Sequence, residues 1–134
     1  MTEFDENYFV KMKFSPRQIA QYFKSAEKNL MIAESFAVEE VIFKFSYDAM
    51  IKAGISLLAS EGYKIRSRTG HHIKIIDAMS EILRDESIKI IGNRMRIKRN
   101  KDMYGDDSII SNKECKSYLD FIKKLMPKVK THVF

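Results

Sequence analysis

Residues 93–104 read Asn-Arg-Met-Arg-Ile-Lys-Arg-Asn-Lys-Asp-Met-Tyr, the densest run in the chain of groups able to act on a phosphate. Arg94, Arg96, Lys98, Arg99 and Lys101 crowd onto fewer than three helical turns. Like charges at such spacing repel by a few tenths of a kcal/mol per pair, and a helix needing only solubility more often interleaves acids. Arg96 and Asn100 lie four apart and so share a face, as do Arg99 and Met103. Guanidinium forks suit phosphate oxygens, and an amide side chain can fix a sugar or base edge. Tyr104, at the end of the run, would bring its hydroxyl toward Arg99 or Asn100. The competing reading is a solvated basic face, or an arginine neutralised by a carboxylate from a neighbouring helix.

His71 and His72 follow Gly70 and form the second candidate group. A helix N-terminus favours the neutral imidazole, because the dipole there opposes positive charge. Either ring could serve as a base if it reached the Arg99 region; otherwise they cap and pack, one inward and one exposed. Adjacent helical residues are not expected to face each other. Lys64, Arg66 and Arg68 precede them and either extend a phosphate groove or solvate a turn. Tyr47 and Asp48 sit among apolar residues, where a buried carboxylate needs a partner. Arg99 or Arg96 is the expected one, as a structural pair. Two adjacent histidines without an acid or cysteine at ligand spacing do not make a metal set, and no metal or other cofactor is expected.

These groups must be held by a scaffold, and composition says which kind. The chain has 134 residues, 45% of them hydrophobic, which is one ordinary domain with a real core. Only 5 Gly and 2 Pro interrupt it, too few for the turns of a strand-rich fold. With 24 Lys and Arg against 18 Asp and Glu, the net charge of +6 allows an acidic partner, nucleic acid first among them. The single cysteine, Cys115, excludes an intrachain disulfide and fits a reducing cytoplasm. The first residues are acidic and lack an apolar signal region, and no uncharged stretch approaches a membrane span. The expectation is a cytoplasmic protein without a membrane partner.

Apolar periodicity places the helices. Ser15-Pro16-Arg17-Gln18 is a capping box with Pro at the first helical position, and Ile19, Phe23, Ala26, Leu30 and Ala33 continue one face, giving a helix over 16–35. A second over 38–61 carries Ile42, Phe45, Ala49, Ala53 and Leu57, with a stripe wide enough to mark the central helix. Residues 63–70 read as a basic loop. A third helix is predicted over 71–84 and a fourth over 88–103. Ser111-Asn112-Lys113-Glu114 is a second capping box and opens a fifth helix to about 126, where Pro127 should close the regular part, with room for a few more helical residues after it. Residues 1–14 show no period and read as a loose arm or as a segment lying on the bundle. The fold predicted is all-α: one domain over 1–134, an up-and-down bundle of four main helices plus a short fifth. No helix-turn-helix spacing stands out, which places DNA binding last.

Three places carry a family resemblance: Tyr47-Asp48-Ala49-Met50 in the long second helix running to Gly62-Tyr63, then Gly70-His71-His72, then Arg99-Asn100 followed by Tyr104. In that order and spacing, over roughly residues 20–125, the chain resembles the HEPN superfamily of small helical nucleotide-binding and ribonuclease domains. The resemblance implies a HEPN-like bundle, a homodimer with a cleft between two copies of the fourth helix, and RNA or a nucleotide as ligand. Arg99, Asn100 and Tyr104 would be the catalytic positions, with Arg94, Arg96, Lys98, Lys101 and His71 binding substrate. It also implies a toxin–antitoxin or defence-type module and a nucleotidyltransferase-fold partner, for which the bundle could serve as a non-enzymatic interaction module. Ribonuclease members carry a His a few residues after the Arg, and here that position is Tyr104. Metal-independent RNA cleavage needs a proton acceptor with a pKa near 7, and tyrosine sits near 10. A metal-independent endoribonuclease with tyrosine there would need that tyrosine strongly shifted, or His71 or His72 reaching the Arg99 region.

Overall fold

The computed structural model describes residues 4–103 and 110–134. Its elements in chain order are β1 (Phe9–Lys11), α1 (Pro16–Ser35), α2 (Glu39–Ser60), β2 (Tyr63–Ile65), α3 (His71–Leu83), α4 (Glu86–Met103) and α5 (Asn112–Val133). The architecture is an all-α bundle: four helices of 18–22 residues, a shorter α3 of 13, and one two-stranded ribbon. Among the described residues, no helix is long and apolar enough to cross a membrane.

Both predicted capping boxes form. Ser15 Oγ accepts from the Gln18 amide at 3.1 Å, while Gln18 Oε1 accepts from the Ser15 amide at 2.8 Å. At α5, Ser111 Oγ accepts from the Glu114 amide at 3.0 Å. Each satisfies amides that a helix start leaves without partners.

α2 is the axis of the bundle. Phe43, Tyr47, Met50, Leu57 and Leu58 are buried on several of its sides, so α1, α3 and α5 can all pack against it. At Gly54 the side chains of α3 press on α2: a Cβ there would lie 2.6 Å from Met79 Sδ and would also strike the Ile75 side chain. α5 returns onto α2 and α1 rather than onto its sequence neighbour α4.

Three boundaries differ from the sequence reading. The basic loop begins as a strand: β2 pairs antiparallel with β1, Phe9 opposite Ile65. Thus the described part of the N-terminal segment lies on the bundle, where Phe4 packs on Phe9 and Tyr63 with ring centroids 4.8 and 4.3 Å away. Strands of three residues are too short to show an alternating pattern. α4 starts at Glu86, two residues early, because Asp85 Oδ1 accepts from the Ser87 amide at 3.0 Å and caps it. Finally, α5 runs through Pro127 to Val133. Pro127 is exposed, so the carbonyl it leaves without a donor can face water, while buried Val129 holds the following turn to the core.

Candidate functional site

The first turn of α3 and the C-terminal half of α4 enclose a cleft of about 660 Å³. Arg96, Arg99 and Asn100 line it from α4; His71 and His72 line it from α3; Ser67 to Gly70 supply the rim. The run of basic residues and the histidine pair, separate in the sequence, therefore share one site within a single chain.

The rim is held from the N-terminal segment. Tyr8 Oη donates to the Thr69 carbonyl at 2.9 Å, and an Arg68 guanidinium nitrogen donates to the Asn7 carbonyl at 2.9 Å. The Arg68 guanidinium also lies over the Tyr8 ring, 5.7 Å from its centroid. Gly70 then turns the chain into α3 with φ +85°, a left-handed conformation in which a Cβ would be strained.

The two imidazoles are fixed differently. His71 Nδ1 is 2.7 Å from the Arg68 carbonyl oxygen. A carbonyl only accepts, so Nδ1 carries the hydrogen, and Nε2 is the basic nitrogen of the neutral ring. His72 Nδ1 is 2.8 Å from Tyr47 Oη. Burial, helped by the charges of His71, Arg99 and Arg96, pushes His72 down to about 4, so it stays neutral near pH 7. Burial pushes Tyr47 up to about 12, against the pull of Arg99 and Arg96, so the phenol keeps its proton. That proton goes to His72 Nδ1, which leaves the His72 hydrogen on Nε2.

Tyr47 is fully buried, and its ring also supports the cationic half of the cleft: the Arg99 guanidinium carbon stands 5.4 Å from its centroid. Arg96 is steered by Asn93, whose Oδ1 accepts from Arg96 Nε at 3.2 Å. The expected Asp48 pair does not form: none of the ion pairs among the described residues joins Asp48 to Arg96 or Arg99. Asp48 is only half-buried, so water can solvate it, and Arg99 rests on the neighbouring aromatic face instead. The histidine expectation is corrected too. Both rings are half-buried, and they meet edge-on with centroids 4.4 Å apart. Flexible χ angles at a helix start let neighbouring rings meet that mid-helix geometry would keep apart.

The remaining candidates scatter around α4. At about 100° per residue, Arg94, Lys98 and Lys101 point away from Arg96 and Asn100, and none of the three lines the cleft. Arg94 is exposed on the α5 side, where its charge reaches Tyr118. Tyr104 lies outside the described residues. The residue that sequence reasoning left without its role is Tyr47. A tyrosine in an otherwise apolar helical face was the available signal, since a buried phenol wants a hydrogen-bond partner.

No family model, no curated protein and no solved structure matches the chain.

Proposed function

We propose that the chain binds RNA or a nucleotide through its phosphate groups in the α3–α4 cleft. The observation that carries this reading is the charge of the lining: Arg68, Arg96 and Arg99 stand there with no carboxylate among the described lining residues. Guanidiniums set around a concave site suit phosphate oxygens, and Asn100 adds an amide able to hold a sugar or base edge. The HEPN resemblance points to the same class of ligand. Binding to a labelled RNA oligonucleotide should fall steeply with salt, and Arg99→Ala should weaken it about tenfold and reduce the salt slope by about one. An Arg99→Ala protein that binds like the parent sinks the assignment.

One observation favours adding cleavage to binding. The anchored Nδ1–H of His71 leaves Nε2 as the basic nitrogen of a residue that lines the cleft. In this reading Nε2 takes the proton of a ribose 2′-hydroxyl, and O2′ bonds to phosphorus. The P–O5′ bond breaks, and O5′ takes a proton from water. The products are a 2′,3′-cyclic phosphate and a 5′-hydroxyl end. His71→Gln should keep RNA affinity and lose cleavage; equal cleavage by this variant would remove His71 from the reaction.

A further inference from the structure

The last two helices leave a slot between them. α4 packs on α3 and reaches α2, α5 packs on α2 and α1, and among the described residues α4 and α5 have almost no direct contact. The space between is an open groove of about 560 Å³. Half-buried Ile91 and Phe121 give it an apolar floor. Exposed Lys113, Lys116 and Lys124 form the α5 rim, with Asp120 the one carboxylate among the described lining residues.

The α4 rim continues the same chemistry. Going round that helix at about 100° per residue, Lys98 and Arg94 come next to Ile91, and beyond them Lys101, Ile90 and Ile97 make an outer ridge. Ile90 and Ile97, two turns apart on one face, are 52% and 47% exposed. Three of the helix's cations, Arg94, Lys98 and Lys101, stand on this flank, and from Ser87 to Lys101 the helix carries no carboxylate.

An apolar floor, an aliphatic ridge and cationic rims together select the occupant. A polyanion would satisfy the lysines and leave the isoleucines and Phe121 in water. A second copy docked by the same face would set cations against cations, with no acid on this stretch of α4 to answer them. A helix with aliphatic anchors on one side and carboxylates along its margins meets all three features. We propose that the α4–α5 groove is the docking slot for an acidic amphipathic helix of a partner protein. It lies on the flank of α4 opposite the phosphate cleft, so it stands apart from that reading.

The test uses the full chain and a fluorescent synthetic peptide of about 20 residues, roughly 30 Å of helix, with Leu at helical 3–4 spacing and Glu elsewhere. Anisotropy near physiological salt should show binding. The exposed pair Lys116→Glu and Lys124→Glu, with unchanged helix content by circular dichroism, should lose at least about tenfold in affinity. Failure of the parent chain to bind, or equal binding of a peptide with scrambled leucines, overturns the proposal. So does an equal loss in Arg99→Ala, which would move the peptide to the other cleft. A dimer in light scattering that the double variant dissolves gives the groove to a second copy. An RNA oligonucleotide whose binding falls in that variant gives it to nucleic acid.

Discussion

Replacing Tyr47 by Phe removes one oxygen from a fully buried side chain and leaves its ring in place. The oxygen holds His72 Nδ1 at 2.8 Å. The variant loses a net hydrogen bond and strands a half-buried imidazole nitrogen, together about 1–3 kcal/mol. For a domain of this size that is a fall in Tm of roughly 3–12 °C. The retained ring still faces the Arg99 guanidinium, so RNA binding should change little, whereas Tyr47→Leu should weaken it as well. The decisive assay is a proton–nitrogen NMR titration of the histidines. In the parent protein His72 titrates near 4 with its hydrogen on Nε2. In Tyr47→Phe the neutral form loses its donor, so the ring titrates higher, yet stays below its ordinary 6.5 because burial and the neighbouring arginines remain. Unchanged melting together with an unchanged His72 titration would refute the reasoning, because the bond would then contribute nothing.

Stability should depend on His72 in the acid range. Its folded pKa lies below the unfolded one, so unfolding takes up a proton as pH falls from 6.5 toward 4, and stability present above 6.5 is lost across that window. Allowing for screening of a half-buried ring, the loss is roughly 1–2 kcal/mol; urea melts at pH 7 and 5 should show it in the parent and flatten in His72→Asn, and identical slopes would remove His72 as the cause. Gly54→Ala sets a methyl group 2.6 Å from Met79 Sδ. The overpacking should cost about 1–3 kcal/mol by denaturant melts, and an unaffected variant would show that α2 and α3 are not in such close contact. Pro127→Ala restores a helical amide at an exposed position. It should raise stability, by up to about 3 kcal/mol, and a fall would mean that the proline is itself needed in α5.

Local chemistry made much of this scaffold legible. A serine followed three residues later by glutamine or glutamate satisfies helix-start amides without help from the rest of the fold, and so Ser15 and Ser111 could be placed from their neighbours alone. The same holds for the 3–4 apolar spacing of α1 and for the breadth of the α2 stripe, which set the helix order and the central element. Arg96 and Asn100 could be put on one face because helix geometry is local. The failures came where distant residues decide. Pro127 stays helical because Val129 is anchored in the core, and β1 exists because β2 pairs with it. Whether His71 and His72 reach Arg99 depends on how α3 and α4 pack around α2, through contacts such as those at Gly54 and Gly92. The Tyr47 hydroxyl meets His72 across 25 positions of chain. The groove between α4 and α5 arises because α5 returns to α2. Sequence by itself determined the helices and the faces their cations occupy, since both follow from backbone geometry within a few residues. The tertiary structure decided which faces enclose a cleft and which imidazole is tied to a distant phenol, because packing between helices and the Tyr47–His72 hydrogen bond join residues far apart in the chain.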